Sequence, residues 1–432
     1  MRVALLGCGT VGGGVATLLR RNASLYARKL GAPIELAGVA ELRLALTRKL
    51  GIPDRLVTRD TEGLATRPDI DIVVELFGGY EPARTLILKA LAAGKDVVTA
   101  NKAMLAKHGA EVFRAAEARG LTVGFEASVG GGIPIIRTLR DALAGDRNRA
   151  VYGIVNGTCN SILTTMSERE IEFSAALTDA QNNGLAEANP ALDVEGHDSA
   201  HKLCLLAALA FGAMVKPAQV HTEGITRITQ ADIAYARELG YAIKLLAIAK
   251  EDGGAIEARV HPTMIPLRHI LAGVGGAYNA IYIHGEALGA TMYSGLGAGR
   301  MPTATAIVAD ILDLARHRIA ASSARPFALG LPLKLIKPAR VKPMGGVVCE
   351  YYLRFAARDK PGVLGAIATV LGRSGLSIAS VIQKERAAAR TVPIIMRTHQ
   401  APERNLRSAL AEIRRRRIVN APPVFLRIEE RL

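Results

Sequence analysis

Between residues 187 and 202 the chain places four carboxylates, Glu187, Asp193, Glu195 and Asp198, and closes on Lys202, just before the apolar run 203–211. Charges held against a hydrophobic helix tend toward perturbed pKa values, and such groups gather where protons are transferred. Asp198 and Lys202 are four apart, so a helix sets them on one face, where they can pair. The same spacing also describes a plain ion pair beside a buried helix, and the run alone does not separate the two readings. Cys159, in Asn156-Gly157-Thr158-Cys159-Asn160, offers a different chemistry. A cysteine at a helix start can be a thiolate nucleophile of the kind a semialdehyde dehydrogenase uses. That reading leaves Lys202 and its carboxylates without a task, so a small buried thiol is the better account.

A second chemical signal stands at the front of the chain. Gly7-Cys8-Gly9-Thr10-Val11-Gly12 fits G-x-G-x-x-G, directly after a short apolar strand and opening a helix. The first glycine permits the tight turn, the second lets a pyrophosphate approach the backbone, and the third lets helix and strand pack closely. The helix N-terminus favours the anion. The next strand ends at Ala40-Glu41-Leu42-Arg43. Glu41 there suits a ribose 2′-hydroxyl, as in NAD, and Arg43 suits a 2′-phosphate, as in NADP. The sequence leaves both cofactors open.

The elements that must position these residues alternate. Strands are expected at 3–7, 34–40, 71–75 and 96–99, with a helix over 11–30 and amphipathic stretches at 83–93 and 109–119. That alternation argues a parallel, doubly wound α/β sheet. Helical stretches at 161–167 and 201–211 follow, then strands at 255–260 and 280–284. A glycine-rich loop, 294–299, opens a helix at 302–310, with Pro302 near its first turn. Residues 322–346 are rich in Pro and basic side chains, without periodicity, and read as a linker. Beyond them β-α-β-β-α-β is expected over 350–428, the order of a ferredoxin-like module.

Composition removes several function classes. No apolar run reaches the ~18 residues of a spanning helix, and the opening Met1-Arg2-Val3-Ala4-Leu5 reads as a strand rather than a signal segment. The four cysteines, Cys8, Cys159, Cys204 and Cys349, lie far apart without metal-ligand spacing, which fits a reducing cytoplasm. The net charge of +16 invites nucleic acid, but Arg414-Arg415-Arg416-Arg417 is the only dense basic cluster and aromatic residues are scarce. Neither nucleic acid nor membrane is an expected partner. A non-enzymatic regulator built on the C-terminal module is the remaining rival to an enzyme.

Taken together, several motifs resemble the monofunctional bacterial homoserine dehydrogenases that carry a C-terminal ACT domain. They are the glycine loop 7–12, Val97-Val98-Thr99-Ala100-Asn101-Lys102, residues 125–134 (FEASVGGGIP), Asn156-Gly157-Thr158, the run 187–202, residues 294–310, and Asp359-Lys360-Pro361-Gly362-Val363-Leu364. The resemblance implies a Rossmann-type nucleotide domain over 1–130 and an α+β catalytic and dimerisation domain over 131–320. The helix near 302–318 would pack back on the nucleotide domain, with a linker over 321–348 and an ACT domain over 349–432. The implied reaction interconverts L-homoserine and L-aspartate 4-semialdehyde with NADP or NAD, on the route to threonine, methionine and isoleucine.

As hydride reaches the aldehyde carbon, the oxygen needs a proton, which a positioned lysine can supply. The resemblance assigns that task to Lys202, with Asp198 beside it and Lys102 near nicotinamide and substrate. Glu187 and Asp193 would receive the substrate ammonium, Thr158 would also touch substrate, and Glu195 has no role. Gly7, Gly9, Thr10, Val11, Gly12, Arg43, Thr99, Lys102, Gly184 and Gly299 would line the cofactor. A sodium-type ion would sit on Glu126 and the backbone of Val129, Gly131 and Ile133. Asp359, Gly362 and Val363 would bind an amino-acid effector, most plausibly L-threonine, in a homodimer or homotetramer. Two departures from the family pattern stand out. Leu185 replaces an aromatic residue, which puts a hydroxyl contact to substrate in doubt, and Asn189 replaces an aspartate.

Overall fold

The structure is a computed structural model that describes residues 1–320, 325–383 and 391–432. The chain forms two compact units that interleave along the sequence, where consecutive blocks are expected. One comprises Met1–Gly157, Asp198–Val220 and Ala277–Ala339; the other comprises Thr158–His197, His221–Gly276 and Arg340–Leu432. Among the described residues no helix is long and apolar enough to cross a membrane.

In the first unit six strands run parallel: β1 Arg2–Leu6, β2 Glu35–Ala40, β3 Val57–Thr58, β4 Ile72–Glu75, β5 Asp96–Thr99 and β6 Val123–Gly124. Their order, β3-β2-β1-β4-β5-β6, is that of a doubly wound nucleotide fold. β1, β4 and β5 are buried nearly throughout, as strands covered on both faces must be. The helix Arg300–Ile319 lies against the glycine-rich helix Thr10–Arg21, so closely that a methyl on Gly14 would meet the Arg300 carbonyl oxygen at 2.8 Å. Its Ala304, Ile307 and Ile311 share one core with Val3, Leu5 and Val15. The same unit holds an antiparallel set in which Tyr278–Gly285 lies between Asn148–Ile154 and Gly289–Leu296.

Three sequence expectations change here. The helix expected over 11–30 is two, Thr10–Arg21 and Ala23–Leu30, broken at Asn22. Asparagine competes for backbone hydrogen bonds and so favours helix ends over helix interiors. The helix expected from 109 begins at Lys102, because the Asn101 side chain accepts from Met104 N at 3.1 Å and caps it. Of the expected linker, residues 321–324 lie outside the described residues and the remainder is structured. Arg325 holds Asp96 at 2.6 Å, and Lys337–Pro338 pairs in parallel with Ala213–Met214. Pieces held by two-residue ladders leave no periodicity to read.

In the second unit Tyr241–Asp252 and Ala255–Pro266 form a long antiparallel hairpin. Val424–Ile428 joins its second strand in parallel at Thr263 and Met264, and on its other side pairs with Val348–Arg358. Thr391–Thr398 and Ile378–Gln383 follow. With the helices Val363–Arg373 and Glu403–Arg415 these give the expected β-α-β-β-α-β order around Tyr351, Leu353, Ile367 and Leu406. Buried ions line the junction with the hairpin. Arg259, 1 % exposed, holds Glu429 at 2.6 Å and Glu257 at 3.2 Å. Arg427, also buried, holds Glu403 at 2.6 Å.

Candidate active site

The helix His197–Phe211 sets Asp198 and Lys202 one turn apart on a buried face. Lys202 Nζ donates to Asp198 Oδ2 at 2.7 Å and to the Val155 carbonyl at 2.6 Å, just past the end of the strand Asn148–Ile154. Asn156 Nδ2 donates to the same Oδ2 at 2.9 Å. Lys102, the first residue of its helix, brings Nζ to 3.2 Å from the other oxygen, Oδ1. One carboxylate therefore stands between two ammonium groups. Burial alone would raise the pKa of Asp198, but Lys202 and Lys102 and the hydrogen bonds from Lys202 and Asn156 hold it well below the carboxylate range. The first turn of a helix favours its negative charge as well. With a depressed folded value, its stabilising contribution is present above the unfolded pKa and is lost only as pH falls through the folded one. Asp198 is thus a permanent anion at neutral pH.

The glycine loop has the shape a dinucleotide needs. Gly7 has φ +102°, and a methyl on Gly12 would overlap the Gly7 carbonyl oxygen, so only glycine serves there. Gly9 caps the helix and Thr10 stands exposed at its start, with Val11 beside it. Glu41 is turned back onto this loop. Its carboxylate accepts from Cys8 N at 2.9 Å and Arg43 N at 3.0 Å. Burial opposes that charge, but these N–H groups outweigh it and keep the carboxyl below its ordinary pKa. Arg43 is exposed, and its guanidinium faces Gly9, 3.8 Å from where a Cβ would stand. Gly299, with φ +117°, caps the helix Arg300–Ile319.

At Thr99 the hydroxyl is fully buried, donating to Glu75 Oε2 at 2.6 Å and accepting from Asn101 N at 3.0 Å, so this side chain faces the sheet. Glu75, at the end of β4, gave no signal in the sequence because a terminal strand carboxylate looks like any surface charge. Burial pushes its pKa from 4.5 up to about 7. Between those values the folded chain binds a proton that the unfolded chain lacks, so stability falls as pH rises through the window. Glu75→Gln is expected to gain on the wild type from about pH 5 to about pH 8 by on the order of 2 kcal/mol, read from urea midpoints. A difference that stays flat across that range would show that the raised pKa is wrong.

Glu126 is 2 % exposed. Its two oxygens accept from Ile136 N at 2.7 Å and Arg137 N at 3.1 Å, at the start of the helix Ile135–Arg137. Burial, and then the neighbouring Asp310 carboxylate, push its pKa to about 7. Gly131 has φ +58° and packs its backbone on Gly297, while Val129 and Ile133 are buried. Among the described residues no three His, Cys, Asp or Glu side chains converge as metal ligands.

Of the carboxylates expected to meet substrate, Glu187 is exposed and Asp193 is half-buried in the short helix Ala191–Val194. The Thr158 hydroxyl donates to the Leu185 carbonyl at 2.8 Å, beside Gly184 at φ +69°. Glu195 only meets the exposed His197 at 3.5 Å. Cys159 is fully buried, and its thiol donates to the Asp193 carbonyl at 3.2 Å, which is the bonding of a structural thiol. In the C-terminal module Gly362, at φ +85°, caps the helix that Val363 begins, and Asp359 lies in the preceding turn. Val155 and Asn156 complete the lysine site, and neither was assigned a role. Asn156 lay inside a recognised motif, but a carbonyl such as that of Val155 leaves no trace in residue type.

Comparison with known proteins agrees along the whole chain. Residues 7–126 match the family described as homoserine dehydrogenase, NAD binding domain; residues 134–312 match homoserine dehydrogenase; and residues 351–417 match the ACT domain. The homoserine dehydrogenase of Neisseria gonorrhoeae is 42% identical over 429 residues, 99% of this chain and 98% of the relative. The crystal structure of a homoserine dehydrogenase from Thiobacillus denitrificans superposes with a TM-score of 0.94 at 44% identity, covering 100% of this chain and 98% of that one. That of Staphylococcus aureus gives 0.77 at 28% identity, covering 100% and 99%. With the glycine loop and the Lys202–Asp198–Lys102 group in place, these likenesses establish that the chain belongs to the homoserine dehydrogenase family, NAD(P)-dependent oxidoreductases of amino-acid biosynthesis, and that it carries an ACT domain.

Proposed function

We propose that Lys202 is the acid that protonates the substrate oxygen when L-aspartate 4-semialdehyde is reduced to L-homoserine, and the base in the reverse direction. The observation that carries this reading is the bonding of its ammonium. Two of its three protons point to Val155 O and Asp198 Oδ2, which leaves one for a ligand. Asp198, a fixed anion, orients Lys202 and keeps it beside Lys102. Lys102 in turn offers a second positive charge to the oxygen that gains negative charge as the carbonyl is reduced. The bound nicotinamide supplies or accepts the hydride. Glu187 and Asp193 are carboxylates suited to the substrate ammonium, and Thr158, whose hydroxyl bonds the Leu185 carbonyl just before Glu187, is a further substrate contact.

Arg43 supports NADP as the better cofactor, since Glu41 is already held by backbone N–H groups and the exposed guanidinium stands over Gly9. Hydrogen bonds to a charged group contribute about 1.5–3 kcal/mol. Arg43→Ala should therefore lower kcat/KM with NADP by about ten- to a hundredfold and leave NAD nearly untouched. An equal loss with both would remove Arg43 from the 2′-phosphate. Gly184 and Gly299 complete the cofactor loops. A sodium-type ion on Glu126, Val129, Gly131 and Ile133 acts as a structural tie, supported by the buried carboxylate and the positive-φ turn. L-threonine is the proposed effector at Asp359, Gly362 and Val363, where a capping glycine exposes helix N–H groups. A homodimer or homotetramer completes the proposal, and four buried, unlinked cysteines support a reducing cytoplasm as its place.

One steady-state assay tests these assignments together: homoserine oxidation with NADP against NAD, in sodium against choline chloride, with and without threonine. Absence of homoserine-dependent formation of both NADPH and NADH would overturn the reading of the site, and activity with NAD alone would overturn only the preference for NADP. Indifference to sodium or to threonine would remove the corresponding ligand only.

A further inference from the structure

Glu223 lies outside every role given above, yet it is held from two sides. It follows the two-residue strand His221–Thr222, which pairs in parallel with Arg259 and Val260, and its N–H donates to Val260 O at 2.8 Å. Its carboxylate receives both terminal nitrogens of Arg427, each at 2.9 Å, a bidentate pair, with His221 Nε2 at 2.7 Å. Arg427 also grips Glu403 through Nε at 2.6 Å and Nη2 at 2.9 Å. Since Glu403 opens the helix Glu403–Arg415, Glu223 is tied to the last strand and the last helix of the ACT domain at once.

Beyond Glu223, the backbone props the acidic segment. Ile225 N donates to Val194 O at 2.8 Å. A methyl on Gly224 would overlap that same oxygen and come within 2.5 Å of Glu195 Cα, so the two backbones touch with no room for a side chain. Gly196 answers from the opposite side. With φ +87°, its Cβ position would lie 3.1 Å from Thr222, 3.2 Å from Val260 and 3.4 Å from the Glu223 carbonyl oxygen. Val194 ends the short helix that carries Asp193, and the helix with Asp198 and Lys202 begins at His197.

We propose that Glu223 is a positioning residue that couples the ACT domain to the Asp193 turn, so that a shift of the Val424–Ile428 strand is felt as a change in affinity for the amino-acid substrate. This rests on Asp193 as a substrate ligand. The route is short and made of discrete contacts: Arg427 to the Glu223 carboxylate, then along the backbone through Gly224 and Ile225 to Val194. Nothing along it touches the Lys202 ammonium, so the coupling acts on binding rather than on the proton transfer.

The test uses the full-length enzyme and steady-state kinetics in both substrates. Glu223→Gln keeps the side chain's shape and removes its charge. It is expected to raise KM for homoserine about fivefold or more, the lower end of typical coupling, while kcat and the dinucleotide KM hold within about twofold. Gly224→Ala, which pushes on Val194 with the ion pairs intact, is expected to raise the same KM. If Glu223→Gln leaves that KM unchanged while Asp193→Asn raises it, the coupling is overturned and the reading of Asp193 stands. If Asp193→Asn leaves it unchanged as well, the underlying reading falls, and the coupling with it. A parallel worsening of kcat and both KM values would show general loosening, and that too overturns the proposal.

Discussion

Replacing Lys202 by alanine is expected to lower kcat by roughly 10²–10⁴-fold, the usual size of a lost general acid or base. KM for the dinucleotide should change by less than about twofold, because the glycine loop is untouched. The fold should survive. Asp198 loses the nearer of its two ammonium partners but keeps Lys102 at 3.2 Å and Asn156 at 2.9 Å, so the buried carboxylate is not left bare. The measurement is steady-state kinetics with homoserine and dinucleotide each varied, alongside a thermal melt to confirm folding. Full turnover in the variant would end the assignment of Lys202. Loss confined to KM would move it from proton transfer to substrate binding.

The second large effect is on stability. Arg427→Met removes the central cation from a site where Glu403 has no exposed surface. Breaking a buried pair by removing one partner costs about 3–5 kcal/mol, because the remaining charge is left uncompensated. Arg407, which reaches Glu403 from one turn along the helix, is half exposed and only partly replaces it. The loss should appear in the urea transition that unfolds the ACT domain, monitored by tryptophan residues introduced there, since the natural chain has none. Adding Glu403→Gln to Arg427→Met should recover much of the loss, as pairs replaced together often cost little. A midpoint unchanged in the single variant would show that the carboxylates find water instead.

How much of this was legible in the sequence depended on the range of each interaction. The glycine loop was readable because its requirement is local: three positions where only a missing side chain fits. Asp198 and Lys202 were readable because a helix turns four residues of sequence into contact. The approach of Lys102 to Asp198 joins distant segments, and only resemblance to a family suggested it. The direction of the Thr99 hydroxyl is not legible because a hydroxyl at a strand end can face outward or into the sheet, and the deciding partner, Glu75, lies on another strand. The break at Asn22 and the two-residue strand Val57–Thr58 are too short for periodicity to register. The order of the segment after Arg325 is not legible because proline-rich chain held by isolated backbone pairs lacks any repeating pattern.

The placement of Val424–Ile428 has a consequence for how the protein is made. This strand sits between Val348–Arg358 and the hairpin strand Ala255–Pro266, and it supplies Arg427, while Glu429 follows just after it. A ribosome delivers it long after the hairpin has emerged. Until then Arg259 lacks Glu429, Glu403 lacks Arg427, and the hairpin's edge at Thr263 and Met264 stands open. An unpaired strand edge is a hazard that chains in synthesis must survive. Completion of the second unit therefore waits for this strand, and a chain terminated before it would expose both an open edge and stranded buried charges to cellular quality control.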